Sequence, residues 1–118
     1  LIHAICDALL GAANLGDIGS HFPDTDPKYK GIDSKILLSS VMNLITEKGY
    51  VLGNVDSTIC LQKPKIRPYI DNMQRVLANC MNVDKDLISI KATTTEKLSF
   101  VGREEGVSAY STVLIYKN

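Results

Sequence analysis

The chain has 118 residues, 45% of them hydrophobic, and its 13 basic and 13 acidic residues cancel to zero net charge. That length fits one domain with its own core, and no apolar stretch reaches the span of a transmembrane helix. The charge balance, with no basic stripe, argues against nucleic acid as a partner; no signal peptide, internal repeat or low-complexity tract is visible.

The chain opens in a helix, Leu1 to Ala13, rich in Ala and Leu. His3 and Asp7, four residues apart, share one of its faces. Asn14 to Ile32 reads as a loop dense in Gly, Asp and Pro, with His21 on its surface. Asp33 then caps a second helix, Ser34 to Lys48, whose apolar stripe is Leu37, Leu38, Val41, Leu44 and Ile45. Gly49 closes it. Tyr50 to Gln62 alternates and is β-rich, with Val55, Ile59 and Leu61 available for a core face. Lys63-Pro64-Lys65 is a loop. Pro68 lies near the first turn of a third helix ending at Met81, with Ile70, Met73, Leu77 and Met81 on one face. Leu87 to Ala92 is a short strand, Glu96 to Phe100 a helical turn, and Val107 to Lys117 a final strand alternating through Val107, Ala109, Val113 and Ile115. Three helices and three strands in mixed order describe an α+β fold of two layers, a mixed sheet packed against helices.

The cysteines, Cys6, Cys60 and Cys80, are odd in number and form no CxxC pair. Each lies in an apolar pattern and reads as a buried free thiol rather than a nucleophile. The run Lys91-Ala92-Thr93-Thr94-Thr95-Glu96-Lys97 places three hydroxyls and an acid between lysines at a strand end. Hydroxyls and backbone N–H groups suit phosphate oxygens, and a carboxylate suits Mg²⁺ or Mn²⁺; a turn with capping hydroxyls is the competing reading. His3 is either a helix-end histidine with an acidic neighbour or a metal ligand. Asp17-Ile18-Gly19 and Phe22-Pro23-Asp24-Thr25-Asp26 are either plain turns or polyol-binding loops.

Four stretches, HAICDALLGAANLGDIGSHFPDTDP, KGYVLGNVD, QKPKIRP and IKATTTEKLSFVGREEG, occur in this order along nearly the whole chain. Together they resemble the 2-C-methyl-D-erythritol 2,4-cyclodiphosphate synthase family of non-mevalonate isoprenoid biosynthesis. The resemblance implies a homotrimer with active sites at subunit interfaces, and a strand that runs on through a bulge or bend at Gly53-Asn54. It implies a lyase that closes a ring in 4-diphosphocytidyl-2-C-methyl-D-erythritol 2-phosphate and releases CMP. The family's N-terminal strand, with an Asp-x-His zinc pair and a His-Ser-Asp loop, has no counterpart ahead of Leu1, so the expectation is a domain, residues 1–118, lacking that segment. An inactive trimer that binds a nucleotide or isoprenoid diphosphate is therefore the alternative function.

Residue by residue, the resemblance gives His3 as a zinc ligand with Asp7 behind it. It gives Asp17, Ile18, Gly19, Phe22, Pro23, Asp24, Thr25 and Asp26 to the methylerythritol moiety. Leu61, Gln62, Lys63, Pro64, Lys65, Ile66 and Arg67 form the cytidine nucleotide loop, working largely through backbone groups. Thr93, Thr94, Thr95 and Glu96 fall at the phosphates, with Thr94 stabilising the transition state and Glu96 holding a second divalent cation, Mg²⁺ or Mn²⁺. Phe100 and Arg103 match positions linked to substrate and to an axial cavity that takes an isoprenoid diphosphate; a core aromatic and a surface ion pair are their plain alternatives. The implied location is bacterial cytoplasm, or a plastid where a preceding segment carries a transit peptide.

Overall fold

In the computed structural model, which describes residues 1–118, helix α1 (Ile2–Ala12) turns one face inward. Ile5, Cys6, Leu9 and Leu10 are wholly buried there, at the spacing that stacks side chains on one side of a helix. The helix stops where Asn14 and Gly16 take positive φ, +56° and +89°. Lys48 finishes the cap from 35 and 34 residues away: its ammonium donates to the carbonyl of Ala13 and, at 3.4 Å, to that of Asn14.

The stretch from Asn14 to Ile32 carries more local order than its Gly, Asp and Pro content suggests. A short helix α2 (Ile18–His21) forms because the Asp17 carboxylate accepts the N–H of Ser20 at 2.9 Å. A 3₁₀ turn (Pro27–Tyr29) follows, with Asp26 accepting the N–H of Lys28 at 3.0 Å. His21 is half-buried rather than a free surface residue; its Nε2 lies 2.6 Å from the carbonyl of Leu15 and ties the two ends of the turn together. Helix α3 (Ser34–Glu47) has the expected Asp33 cap, which accepts the N–H of Lys35 at 2.9 Å. It buries Leu37, Leu38, Val41 and Ile45 and ends at Gly49, φ +93°.

The central strand β1 (Tyr50–Cys60) carries β2 (Ile88–Thr93), parallel, on one side and β3 (Ser108–Lys117), antiparallel, on the other. Register shifts between Leu52 and Asn54, so Gly53 sits in a bulge. A Cβ there would lie 3.0 Å from the carbonyl oxygen of Leu114, which is why glycine occupies it. The bulge resets the alternation and lets Leu52, Val55 and Ile59 all face inward. Ser57, the one buried polar side chain, pairs with the Ser111 hydroxyl at 2.8 Å across β1 and β3. Helix α4 (Ile70–Met81) follows a 3₁₀ turn containing Pro68 and ends at Asn82 in the left-handed region.

Helices α1, α3 and α4 cover one sheet face around a single cluster of 17 buried residues, the expected two-layer α+β arrangement. Two details differ from expectation. The helical turn after β2 is α5 (Ser99–Gly102), displaced because Glu96 and Lys97 adopt positive φ, +52° and +67°. Val107 lies outside β3 and is exposed rather than core-facing.

Candidate functional site

Two clefts gather the residues singled out above. The first, about 540 Å³, lies between the β1–α4 loop and the C-terminal end of β2. Leu61, Gln62, Pro64, Lys65, Ile66, Arg67 and Pro68 form one wall, and Ala92, Thr93 and Thr94 the other. The parallel pairing of β1 with β2 brings the walls together: Cys60 pairs with Thr93, and the N–H of Leu61 donates to the Thr93 carbonyl at 3.0 Å. Both segments thus leave the sheet at the same edge, the ends of parallel strands where ligands commonly sit. Lys63 is absent from the wall; its ammonium turns to Glu104 at 3.6 Å.

The three threonines are not equivalent. Thr93 Oγ1 donates to the carbonyl of Thr94 at 3.1 Å, and Thr95 Oγ1 donates to that of Leu98 at 2.7 Å. Thr94 Oγ1 instead accepts the N–H of Glu96 at 3.3 Å. Its own proton is left uncommitted, at the rim of a cleft that holds Lys65 and Arg67. Glu96 is exposed beyond the cleft wall. Phe100 is half-exposed, and Arg103 pairs with Glu105 through a 2.7 Å Nε–Oε1 contact.

The second cleft, about 550 Å³, is lined by His3, Ile18, Gly19, Phe22, Pro23, Asp24, Tyr29, Gly31, Ile32, Ser34 and Leu37. It shares no lining residue with the first. Asp17 and Asp26 spend a carboxylate oxygen each on local caps, whereas Asp24 lines the cleft. Thr25 is exposed beside it. Asp7 accepts the N–H of Ile18 at 2.8 Å, so the helix that carries His3 also pins the Asp17–Gly19 turn. Ser34 Oγ lies 3.5 Å from His3 Nε2.

Sequence reasoning missed Tyr29 and Ser34 here, and Pro68 and Ala92 in the first cleft. Ser34 directly follows a legible cap and could have been placed near α1 only by tertiary packing. Tyr29 stands edge-on to Phe22, ring centroids 5.3 Å apart, a contact that no local pattern signals.

Zinc needs three side-chain ligands in a catalytic site. His3 is one candidate nitrogen, but no three His, Cys, Asp or Glu side chains of this chain cluster around it or around Glu96. The residues present therefore do not by themselves complete a zinc site, whereas a single carboxylate such as Glu96 suits a hard divalent cation that takes its remaining ligands from phosphate and water. Burial pushes the Cys6 thiol up to about 12, reinforced by the neighbouring Asp7, so Cys6 is protonated and inert at neutral pH. No helix is long and apolar enough to cross a membrane.

Comparison with known proteins gives the family. A model of the YgbB family matches residues 1–116. This chain belongs to the YgbB family. A 2-C-methyl-D-erythritol 2,4-cyclodiphosphate synthase of Bacteroides fragilis is 65% identical over 115 residues, 98% of this chain and 72% of that protein. The synthase of Thioalkalivibrio sulfidiphilus is 58% identical over 115 residues, again 98% of this chain and 72% of its own length. Among solved structures, the bifunctional IspDF of Campylobacter jejuni superposes with a TM-score of 0.96 at 42% identity, covering 100% of this chain but 32% of that one. A 2C-methyl-D-erythritol-2,4-cyclodiphosphate synthase in its CDP-bound form gives a TM-score of 0.88 at 35% identity, covering 98% of this chain and 74% of that one. The YgbB fold thus extends over essentially every element described here.

Proposed function

We propose that this YgbB-family chain is a lyase of isoprenoid biosynthesis. It cyclises 4-diphosphocytidyl-2-C-methyl-D-erythritol 2-phosphate to 2-C-methyl-D-erythritol 2,4-cyclodiphosphate and releases CMP. The observation that carries this reading is the first cleft, where one loop and one strand end offer backbone groups, Lys65, Arg67 and the free Thr94 hydroxyl to a single ligand. That equipment suits a cytidine diphosphate, the ligand in the bound form of the similar solved synthase.

The reaction needs no protein nucleophile. An oxygen of the substrate's own 2-phosphate attacks the β-phosphorus; that P–O bond forms as the P–O bond to CMP breaks, and CMP leaves with the bonding pair. The protein's part is to fold a flexible polyanion so that attacker and target meet in line, which converts an improbable encounter into a near-attack geometry. Lys65 and Arg67 offset phosphate charge at the cleft, and the Thr94 O–H donates to the phosphoryl oxygen on which charge grows. The second cleft, with Asp24 and the Ile18–Gly19 backbone, is the seat for the polyol. Zinc at His3 and a second divalent cation at Glu96 belong to the same reading; when bound they would neutralise phosphate charge, with ligands beyond those of this chain.

Because the two clefts share no residue, a homotrimer in which one subunit's nucleotide cleft faces its neighbour's polyol cleft fits this geometry. The outer sheet face supports assembly: Tyr110, Leu114 and Tyr116 stand there 65%, 61% and 54% exposed, an apolar area unusual for a free surface. An isoprenoid diphosphate near Phe100 and Arg103 on the axis belongs to this assembled state. Subunit mixing tests it. Glu96→Gln and His3→Ala variants, each nearly inactive, regain CMP release when refolded together; no recovery despite confirmed exchange would show that both residues serve the same half-site or that the site lies within one chain.

A further inference from the structure

Residues 94–98 run in a conformation that needs external support. Glu96 and Lys97 both adopt positive φ, +52° and +67°, and neither is glycine. Such backbone costs roughly 1–2 kcal/mol per residue and persists where surrounding structure over-determines it. Most of the restraint is local. Thr94 Oγ1 accepts the N–H of Glu96, Thr95 and Leu98 bond each other, and Gly102 packs so tightly that a Cβ would fall 2.1 Å from the carbonyl carbon of Lys97.

One hydrogen bond comes from elsewhere. The side-chain carbonyl of Gln62 accepts the Lys97 N–H at 3.3 Å, across 35 residues of sequence. Gln62 is half-buried and lines the nucleotide cleft next to Pro64 and Lys65. A second bridge, between Lys63 and Glu104 at 3.6 Å, runs the same way, but both side chains are exposed and it adds little.

We propose that Gln62 is a positioning residue: its amide oxygen couples the Pro64–Arg67 loop to the Thr94–Lys97 segment, so occupancy of the loop fixes where the Thr94 hydroxyl points. This rests on the reading of the first cleft as a cytidine nucleotide site. Coupling of this kind is reciprocal, and ordering the phosphate segment tightens the loop by the same factor.

The test uses the full-length protein, Gln62→Met, which keeps length and volume but has no oxygen acceptor, and Gln62→Glu, which restores one. Site-resolved amide exchange reads Lys97, with β1 core amides as the folding control. Without ligand, Lys97 exchanges about five- to tenfold faster in Gln62→Met than in wild type, the loss expected for one such bond, and at the wild-type rate in Gln62→Glu. Cytidine, which has no phosphate to touch Thr94, slows Lys97 exchange in wild type and leaves it unchanged in Gln62→Met. Turnover by Gln62→Met shows a lower kcat, and its affinity for cytidine falls by the factor through which cytidine slows Lys97 exchange in wild type. Unchanged Lys97 exchange in Gln62→Met overturns the proposal, as does cytidine protection that survives the substitution. If cytidine fails to bind wild type, the nucleotide reading falls, and the ligand-free exchange of Lys97 still decides whether Gln62 holds the segment.

Discussion

Replacing Thr94 by Val keeps the β-branched shape and removes one oxygen. Two losses follow. The N–H of Glu96 gives up its 3.3 Å acceptor, but this group is exposed and water replaces the partner, so the fold loses about 1 kcal/mol or less. On the proposed function, the larger loss is the donor that Thr94 offers to a phosphoryl oxygen. A hydrogen bond to a charged group is worth about 1.5–3 kcal/mol, and removal of one oxyanion donor costs about a hundred- to a thousandfold in rate. Thr94→Val is therefore expected to lower kcat by at least tenfold, with thermal unfolding within a few degrees of wild type. Thr95→Val provides the contrast, since its hydroxyl is spent on the Leu98 carbonyl at 2.7 Å. It should destabilise the segment while touching kcat far less. Steady-state measurement of CMP release, with a melting curve for each variant, checks both. Equal kcat losses at Thr94 and Thr95, or a Thr94→Val effect confined to KM, would refute the argument from the uncommitted proton.

Asp7→Ala removes the acceptor of the Ile18 N–H and should raise KM through a loosened Asp17–Gly19 turn, whereas Asp7→Asn, which retains a carbonyl oxygen, should lose much less. Gly102→Ala is expected to destabilise the protein by more than 1 kcal/mol, because its Cβ would overlap the Lys97 backbone; a denaturant titration reads it. Cys6 should resist thiol reagents in the folded protein while the half-buried Cys60 and Cys80 react first, as peptide mapping after brief labelling would show. The raised Cys6 value also sets a direction with pH. The unfolded chain releases that proton near 9.0 and the folded one near 12, so stability falls as pH climbs through that interval. An alkaline unfolding series, with Cys6→Ala as control, measures it.

Much of the scaffold is legible in local chemistry. The Asp33 cap, the Gly49 stop and the apolar stripe of α3 follow from side chains within a few residues of one another, and the structure keeps all three. The Gly53 bulge is expected from the family resemblance rather than from local chemistry, since its cause, the Leu114 carbonyl, lies 61 residues away. The misses share one physical origin. His21 looks like a loop residue until the Leu15 carbonyl is found beside it. The helical turn after β2 starts later than its composition suggests because Gly102 and Gln62 hold the Lys97 backbone in the left-handed region. In the candidate site, residue types at the two loops suit phosphate. Which of three threonines has a proton to give depends on partners that only the folded chain supplies.

The most direct test of the assigned reaction is to incubate the purified full-length protein with 4-diphosphocytidyl-2-C-methyl-D-erythritol 2-phosphate and divalent cation and follow phosphorus resonances with time. The account predicts CMP and a cyclic diphosphate appearing in equal amounts as substrate disappears. Tight CDP binding with no cyclic product, in protein that is folded and loaded with metal, would contradict it.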